Sequence, residues 1–210
     1  MVELRAAGRE ALQLAALDPT AAREICASIL GPARRERLWD VVAVAERALG
    51  VAAMTLNELD QAIEHLRSAV TAGRRAGSGS VAGEARMSLA SALVLRGLPT
   101  QAAGQIETAV GELTGLAAAR AHVQHAAILQ ELGRDHESFE ELRKALPVLR
   151  RSGDAEWEAR ALSNRSLMHV RARAFGAADA DLVLARQLCL EHGLDLPAGY
   201  AEHNLGYLKA

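Results

Sequence analysis

One short pattern returns five times along this chain of 210 residues. Each copy is a residue pair whose second member is small, and it lies among apolar positions spaced three or four residues apart, as on one face of a helix. Successive copies are 40, 36, 40 and 40 residues apart and stand at Leu49-Gly50, Leu89-Ala90, His125-Ala126, Arg165-Ser166 and Leu205-Gly206. A period of this length is typical of a repeat array, in which each unit buries its apolar face against its neighbours.

Turn-forming residues divide the chain into segments of about 15 to 20 residues with the helical spacing of apolar positions. Alanine, leucine, arginine and glutamate, all strong helix formers, dominate these segments. The pattern predicts ten to eleven helices in antiparallel pairs. Asp18-Pro19 predicts a helix start and Gly31-Pro32 a helix end. Pro147 falls inside a predicted helix, which it should kink or end early.

Aligning the pairs reveals a shared code of small residues. In one copy Gly50, Ala62 and Ala69 are small, and Leu49 and Leu66 fill the space between the two helices. The small residues of the next copies are Ala90, Ala102 and Ala109, then Ala126, Ser138 and Ala145, then Ser166, Ala178 and Ala185. This code resembles the tetratricopeptide repeat (TPR), in which small residues let the two helices of a hairpin approach. The common TPR has about 34 residues, so these hairpins have longer helices or longer links.

The resemblance implies an all-α fold, an α-solenoid in which antiparallel helical hairpins build a right-handed superhelix. Residues 1-210 are expected to form a single TPR array. Its parts would be an N-terminal hairpin (1-32), four full repeats (33-80, 81-115, 116-153 and 154-193) and a truncated repeat (194-210). The segments around Trp157 and Tyr200 are, more narrowly, similar to the TPR region of actinobacterial CHAT proteins, which carry a caspase-like peptidase after the repeats.

The last copy of the pattern predicts a helix without its partner. Leu205, Tyr207 and Leu208 would lack the second helix of their hairpin, and terminal repeats normally have a polar outer face. We therefore expect a fragment of a larger protein. The alternative is a homodimer formed through the uncapped C-terminal helix, or a cap supplied by another chain.

In TPR proteins the first helix of each hairpin, helix A, lines a concave groove, so the resemblance also predicts the residues that bind a ligand. They are Arg47, Met87, Ser88, Arg120, Gln124, Gln130, Arg160, Asn164, Leu167, Arg171, His203 and Asn204. One equivalent position holds Gln124, Asn164 and Asn204 in three successive repeats. A carboxamide both donates and accepts hydrogen bonds, which suits pairing with the backbone of an extended peptide. The alternative is that these amides are simply solvated.

The same surface offers apolar and cationic contacts. Met87, Val123 and Leu167 are expected to supply apolar pockets for the ligand. The arginines of the groove set could bind an acidic ligand, because a guanidinium suits carboxylate recognition. They could instead belong to a solvated helix face balanced by Glu84 and Glu131.

Metal binding and catalysis find little support in the sequence. His122 and His125 stand three residues apart, a spacing that allows two imidazoles to reach one metal ion. By register both face the partner helix, where apolar neighbours and no carboxylate are expected, so we predict a packed pair and no metal or cofactor. Cys26 and Cys189 are too few for a disulfide framework and are expected to be buried. No catalytic sequence motif occurs, and we expect no enzyme.

Charge and hydropathy exclude further classes. A net charge of −2 at pH 7 offers no basic field for nucleic acid or an anionic membrane. The chain has neither a run of about 18 apolar residues nor a signal-peptide core, so a cytoplasmic location is expected. We predict a protein-protein interaction module that binds a peptide or protein segment in its groove. The alternatives are a regulatory domain that controls an effector in the same polypeptide, either a caspase-like peptidase or a transcription regulator, and a self-assembling scaffold.

Overall fold

A computed structural model describes residues 1–194 of the chain. This part contains ten α-helices and no β-strand, which confirms the predicted all-α class. The helices are α1 (Val2–Leu14), α2 (Pro19–Arg35), α3 (Trp39–Thr55), α4 (Leu59–Arg75), α5 (Gly79–Leu95), α6 (Pro99–Glu112), α7 (Gly115–Glu131), α8 (Asp135–Ser152), α9 (Ala155–Arg171) and α10 (Phe175–Glu191). None of these helices is long and apolar enough to cross a lipid bilayer. The division into repeats remains a prediction.

The turn after α3 shows how most of these helices end. The N–H of Glu58 donates to the carbonyl of Ala53 at 2.8 Å, and Asn57 between them has a φ of 59°. This is the Schellman arrangement, which satisfies carbonyl groups left over at the end of a helix. The same bond follows α2, α4, α5, α7, α8, α9 and α10. Arg37 and Arg173 take the left-handed position with φ of 55° and 56°, where glycine is usual.

The predicted start of α2 is confirmed. The Asp18 carboxylate accepts a hydrogen bond from the backbone N–H of Ala21 at 3.0 Å, and Pro19 is the first helical residue. A side-chain oxygen at this position satisfies one of the N–H groups that the first turn leaves unpaired. Proline costs nothing there, because its missing N–H would have no helical partner.

Two prolines lie inside helices. Helix α2 continues past Gly31-Pro32, so the predicted helix end there is wrong. Helix α8 continues past Pro147 to Ser152, so of the predicted kink or early end, the early end is wrong. A proline removes only one helical hydrogen bond, and Pro147 is exposed, so water can satisfy the carbonyl that loses its partner. The following turn is held by the core, because Ala33 and Leu149 are fully buried.

Small residues set the closest approaches between helices. A Cβ atom built on Gly50 of α3 would lie 2.7 Å from Cδ2 of Leu66 on α4. A Cβ atom on Gly73 of α4 would lie 2.8 Å from the backbone nitrogen of Ala82 on α5. Both distances are below van der Waals contact. Glycine therefore allows the close approach of α3 to α4 at position 50 and of α4 to α5 at position 73.

The described helices form two compact units, 1–114 with α1 to α6 and a second that begins at Gly115. In the first unit, a buried cluster joins Cys26 and Ile29 of α2 to Val41 and Val42 of α3. In the second unit, the core contains Leu142, Leu146, Leu149, Leu162 and Cys189. Both cysteines have no exposed surface, which confirms their predicted burial.

Candidate functional site: the helix A surfaces

The A helices of successive hairpins contact each other within each unit. Helix α3 packs against α1 and α5 in the first unit, and α7 packs against α9 in the second. We call the partly exposed residues Arg47, Met87 and Ser88 the first A surface, on α3 and α5. The second A surface, on α7 and α9, comprises Arg120, Gln124, Arg160, Asn164, Leu167 and Arg171.

In the first A surface, Arg47 connects two helices. Its Nε donates to the hydroxyl of Ser88 at 3.0 Å, and its guanidinium pairs with the carboxylate of Glu84. Met87 and Ser88 are partly exposed on α5. The charge of Arg47 is thus balanced from α5, and the polar atoms nearest to it already have partners.

In the second A surface, polar contacts connect α7 and α9. The Nε of Arg120 donates to Asp154 at 2.7 Å. Gln130 is only 7% exposed, and its side-chain amide donates to the backbone carbonyl of Asn164 at 2.9 Å. Gln130 therefore fastens one helix to the next. Gln124 and Asn164 remain partly exposed.

The remaining groove candidates on α9 differ in exposure. Leu167 is 43% exposed. Arg160 pairs with Glu156 at 2.7 Å and stacks on Trp157, with its Cζ 5.0 Å from the ring centroid. Arg171 pairs with Asp135, the first residue of α8. The arginines of both A surfaces therefore each face a carboxylate of the same unit.

Three residues expected near the groove remain to be placed. Val123 is 2% exposed and belongs to the core of the second unit, so the prediction that it lines an apolar pocket is wrong. Val123 directly precedes the partly exposed Gln124, and one residue step along a helix rotates the side-chain direction by about 100°. This step turns Val123 away from the exposed face and toward the core. His203 and Asn204 lie outside the described residues.

Ion pairs between successive hairpins are the main feature that the sequence analysis missed. Six of them join residues separated by 34 to 37 positions, close to the repeat period. The six are Arg5–Asp40, Arg23–Glu58, Arg47–Glu84 and Arg96–Asp60 in the first unit, and Arg120–Asp154 and Arg171–Asp135 in the second. Two more, Arg34–Glu46 and Arg150–Glu158, join residues only 12 and 8 positions apart. The sequence signal for such a pair is an arginine and a carboxylate about one repeat period apart.

The histidine pair has a carboxylate partner, so the predicted apolar surroundings are wrong. The Nδ1 atoms of His122 and His125 on α7 lie 2.6 Å and 3.2 Å from one carboxylate oxygen of Glu141 on α8. The amine of Lys144 donates to the other oxygen at 2.8 Å. Burial opposes the charge of Glu141, but these hydrogen bonds outweigh it and hold the pKa of the carboxyl well below its usual range. Within residues 1–194, no group of three or more His, Cys, Asp or Glu side chains is arranged to hold a metal ion.

The contact of Glu141 with the histidine pair has a counterpart in each of the hairpins α3/α4, α5/α6 and α9/α10. The partner on the second helix, helix B, is His65, Gln105, Glu141 or Asp181, and these positions are 40, 36 and 40 residues apart. They contact Glu46, Arg86, the histidine pair and Arg165, respectively. Each of these four hairpins therefore contains a polar contact at one repeated position, with different chemistry in each copy.

Cys189 lies inside α10. Cys189 has no exposed surface. Burial, followed by the negative charge of Glu156, raises the pKa of its thiol. The sulfur packs inward as predicted, and a protonated, buried thiol is a poor nucleophile.

The chain is similar in structure to known TPR-like proteins. No protein-family profile matches it, and no curated protein matches its sequence. A Rap protein complexed with Competence and Sporulation Factor has a TM-score of 0.70 and 13% identity, covering 99% of this chain and 64% of that one. The apo form of RapI has a TM-score of 0.70 and 13% identity, covering 98% and 58%. A Podospora anserina protein assigned as a kinesin light chain, with nearly identical TPR-like repeats, has a TM-score of 0.68 and 14% identity, covering 91% and 96%.

The chain spans 58 to 64% of the length of the two Rap proteins. These similarities confirm that the described chain has a TPR-like repeat fold.

Proposed function

We propose that this chain is a protein-interaction module that binds a segment of another protein along its A surfaces. The observation that carries the proposal is the register of Ser88, Gln124 and Asn164. These residues occupy one equivalent position on A helices, 36 and 40 residues apart, and all three are partly exposed. The Rap protein that is similar in structure was determined in complex with Competence and Sporulation Factor, which supports a binding role for a fold of this kind.

Amides and apolar side chains carry the recognition in this proposal. The side-chain amide of Asn164 makes no hydrogen bond to any other residue within 1–194, while its backbone carbonyl accepts from Gln130. Its donor and acceptor can therefore pair with a peptide backbone. Met87 and Leu167 add apolar contact on the two A surfaces. The surface arginines already have carboxylate partners, so an acidic ligand would have to displace them.

Two narrower hypotheses rest on the sequence alone. A regulatory array like that of CHAT proteins would bind a segment of its own polypeptide through the same surfaces, and a scaffold would bind another copy. The homodimer, the cytoplasmic location and the absence of nucleic-acid partners remain predictions.

Selection of peptides on the immobilised chain tests the proposal. Random peptides displayed on phage are enriched on the 210-residue protein, and enriched sequences are labelled with fluorescein and titrated by anisotropy. Asn164→Ala should weaken binding by about 1 to 3 kcal/mol, a factor of about 5 to 150, because a ligand group loses its partner. Leu167→Ala should weaken the same peptides, and neither variant should lower the melting temperature.

Gln101→Ala is the matched control, since this exposed carboxamide lies on helix α6 and outside both A surfaces. It should leave every affinity unchanged. Peptides that lose affinity with Gln101→Ala and are indifferent to Asn164→Ala and Leu167→Ala would refute the proposal, and so would a failure to enrich any peptide.

A further inference from the structure

A cleft with several arginines lies between α2 and α4. Its volume is about 300 Å³, and α3 contributes to its wall. Arg34 of α2, Trp39 of α3, and Arg67 and Arg75 of α4 line it. None of these residues belongs to an A surface, so the cleft is separate from the proposed peptide site.

Two of the three guanidinium charges are not balanced by a carboxylate. Arg34 pairs with Glu46, which is 3% exposed and whose other oxygen lies 2.8 Å from Nδ1 of His65. The buried carboxylate is therefore compensated. Arg67 and Arg75 have no ion pair with any residue within 1–194. The cleft carries this local positive charge in a chain whose net charge is −2.

The aromatic ring of Trp39 orders one of these charges without neutralising it. The Cζ atom of Arg75 lies 5.0 Å from the ring centroid. A cation–π contact of this kind holds a guanidinium through the ring face. The N–H donors of Arg75 stay available at the guanidinium edge, and a positioned guanidinium loses less entropy when it binds an anion.

A hydroxyl group completes the set of donors. Ser68 and Thr71 of α4 both line the cleft. The hydroxyl of Thr71 donates to the backbone carbonyl of Arg67 at 3.0 Å, so the hydroxyl of Ser68 is the one that can donate to a bound anion. Hydroxyl donors beside guanidinium groups match the several acceptor oxygens of a phosphate, which forms short, charge-assisted hydrogen bonds.

Carboxylates near Arg67 could compete with a bound anion for its charge. Arg67 also lines a neighbouring pocket together with Asp60 and Glu64. Asp60 is engaged by Arg96 at 2.8 Å. Glu64 makes no ion pair with any residue within 1–194, so its charge opposes an anion bound at Arg67.

We propose that the cleft between α2 and α4 binds a phosphate group through Arg67 and Arg75, with the hydroxyl of Ser68 as a further donor. The group is either inorganic phosphate or a phosphomonoester. Both present the same tetrahedral oxyanion, and their relative affinities tell them apart.

Fluorescence of Trp39 provides a direct assay. The chain has two tryptophans, and Trp157→Phe leaves Trp39 as the only one. This variant is titrated with sodium phosphate and with O-phosphoserine at constant ionic strength, up to about 10 mM, a range that detects millimolar dissociation constants. A saturable change in emission is expected. Tighter binding of O-phosphoserine would indicate a phosphomonoester, and tighter binding of phosphate the free ion.

Three variants in the Trp157→Phe background make the assay specific. Arg67→Gln should weaken binding at least about 10-fold, and Glu64→Gln should strengthen it because a like charge is removed. Arg74→Gln, an exposed residue of the same helix outside the cleft, should have no effect. Circular dichroism confirms that each variant is folded. The proposal is overturned if neither anion gives a saturable change, or if Arg67→Gln and Arg74→Gln bind equally.

Discussion

The contact between Gly73 and the next hairpin allows a quantitative prediction. Replacing Gly73 with alanine would put a Cβ atom 2.8 Å from the backbone nitrogen and 2.9 Å from the Cα atom of Ala82. Carbon atoms in contact are normally about 3.5 to 4.0 Å apart. Because the obstacle is the backbone of α5, no side-chain rotation can relieve it. The two helices would have to separate by about 0.6 Å or more.

The expected cost follows from two opposing effects. Overpacking of this kind costs about 1 to 3 kcal/mol. Alanine favours a helix over glycine by about 0.5 to 1 kcal/mol, which offsets part of that cost. Gly104→Ala is the matched control, because Gly104 lies inside α6 in the same unit and a Cβ atom there meets nothing within 4 Å. Gly104→Ala should stabilise by about 0.5 to 1 kcal/mol. The difference between the two variants isolates the steric contact.

Urea unfolding measures both variants. In the Trp157→Phe background, the emission of Trp39 reports on the unit 1–114, which contains both glycines. The midpoint should fall for Gly73→Ala and rise for Gly104→Ala, with an unchanged slope. Equal stabilisation by the two substitutions would refute the argument that the helix backbones touch at this point.

Three further predictions concern single side chains. Glu141→Gln should destabilise the second unit by about 1.5 to 3 kcal/mol in urea unfolding followed by Trp157 emission, because hydrogen bonds to a charged group are lost. The lowered pKa of Glu141 gives stability that is present above its ordinary value of about 4.3 and is lost as the pH falls, so the variant should approach the original protein below about pH 5. Arg173→Gly should stabilise by about 0.5 to 1 kcal/mol in the same assay, because glycine takes a positive φ without strain. Burial, with a smaller effect of the Glu46 charge, raises the pKa of Cys26 to about 11, so its thiol should react with Ellman's reagent only after unfolding in guanidinium chloride.

Each of these has a contrary outcome. A stability difference for Glu141→Gln that persists undiminished at low pH would mean that its charge is not what stabilises the fold. A lower midpoint for Arg173→Gly would mean that the arginine side chain contributes more than its backbone strain costs. Rapid labelling of the folded protein, with Cys189→Ala leaving Cys26 as the only thiol, would contradict its burial.

The repeat period was enough to predict the helical hairpins, because small residues such as Gly50 recur where helices touch. It was not enough to predict where each helix ends. Local signals indicated a stop at Pro32 and a kink or a stop at Pro147, but burial of Ala33 and Leu149 holds the next turn in place. The cost of one lost hydrogen bond is smaller than that of exposing those apolar residues.

For the candidate site, register alone predicted which helices carry Ser88, Gln124 and Asn164. It could not predict the partners of those helices. The Glu141 carboxylate is 16 residues from His125 and 19 from His122, so its contact with them depends on how α7 and α8 pack. Gln130 was predicted to lie on the ligand surface, but it is buried and its side-chain amide donates to the backbone of α9. Whether a polar residue near the edge of a helix face binds a ligand or a neighbouring helix depends on tertiary contacts.

The polar contact inside each of the four hairpins after α2 limits how such a chain can evolve by recombination. A crossover in a turn between hairpins transfers helix A together with its own helix B, and pairs such as Glu46 with His65 or Arg165 with Asp181 travel intact. A crossover in the turn within a hairpin would set Glu46 against Glu141, or Arg165 against His65, and leave like or unmatched groups packed together. Exchange of an intact hairpin therefore keeps this polar contact, whereas exchange at the three-residue turn inside it breaks the contact.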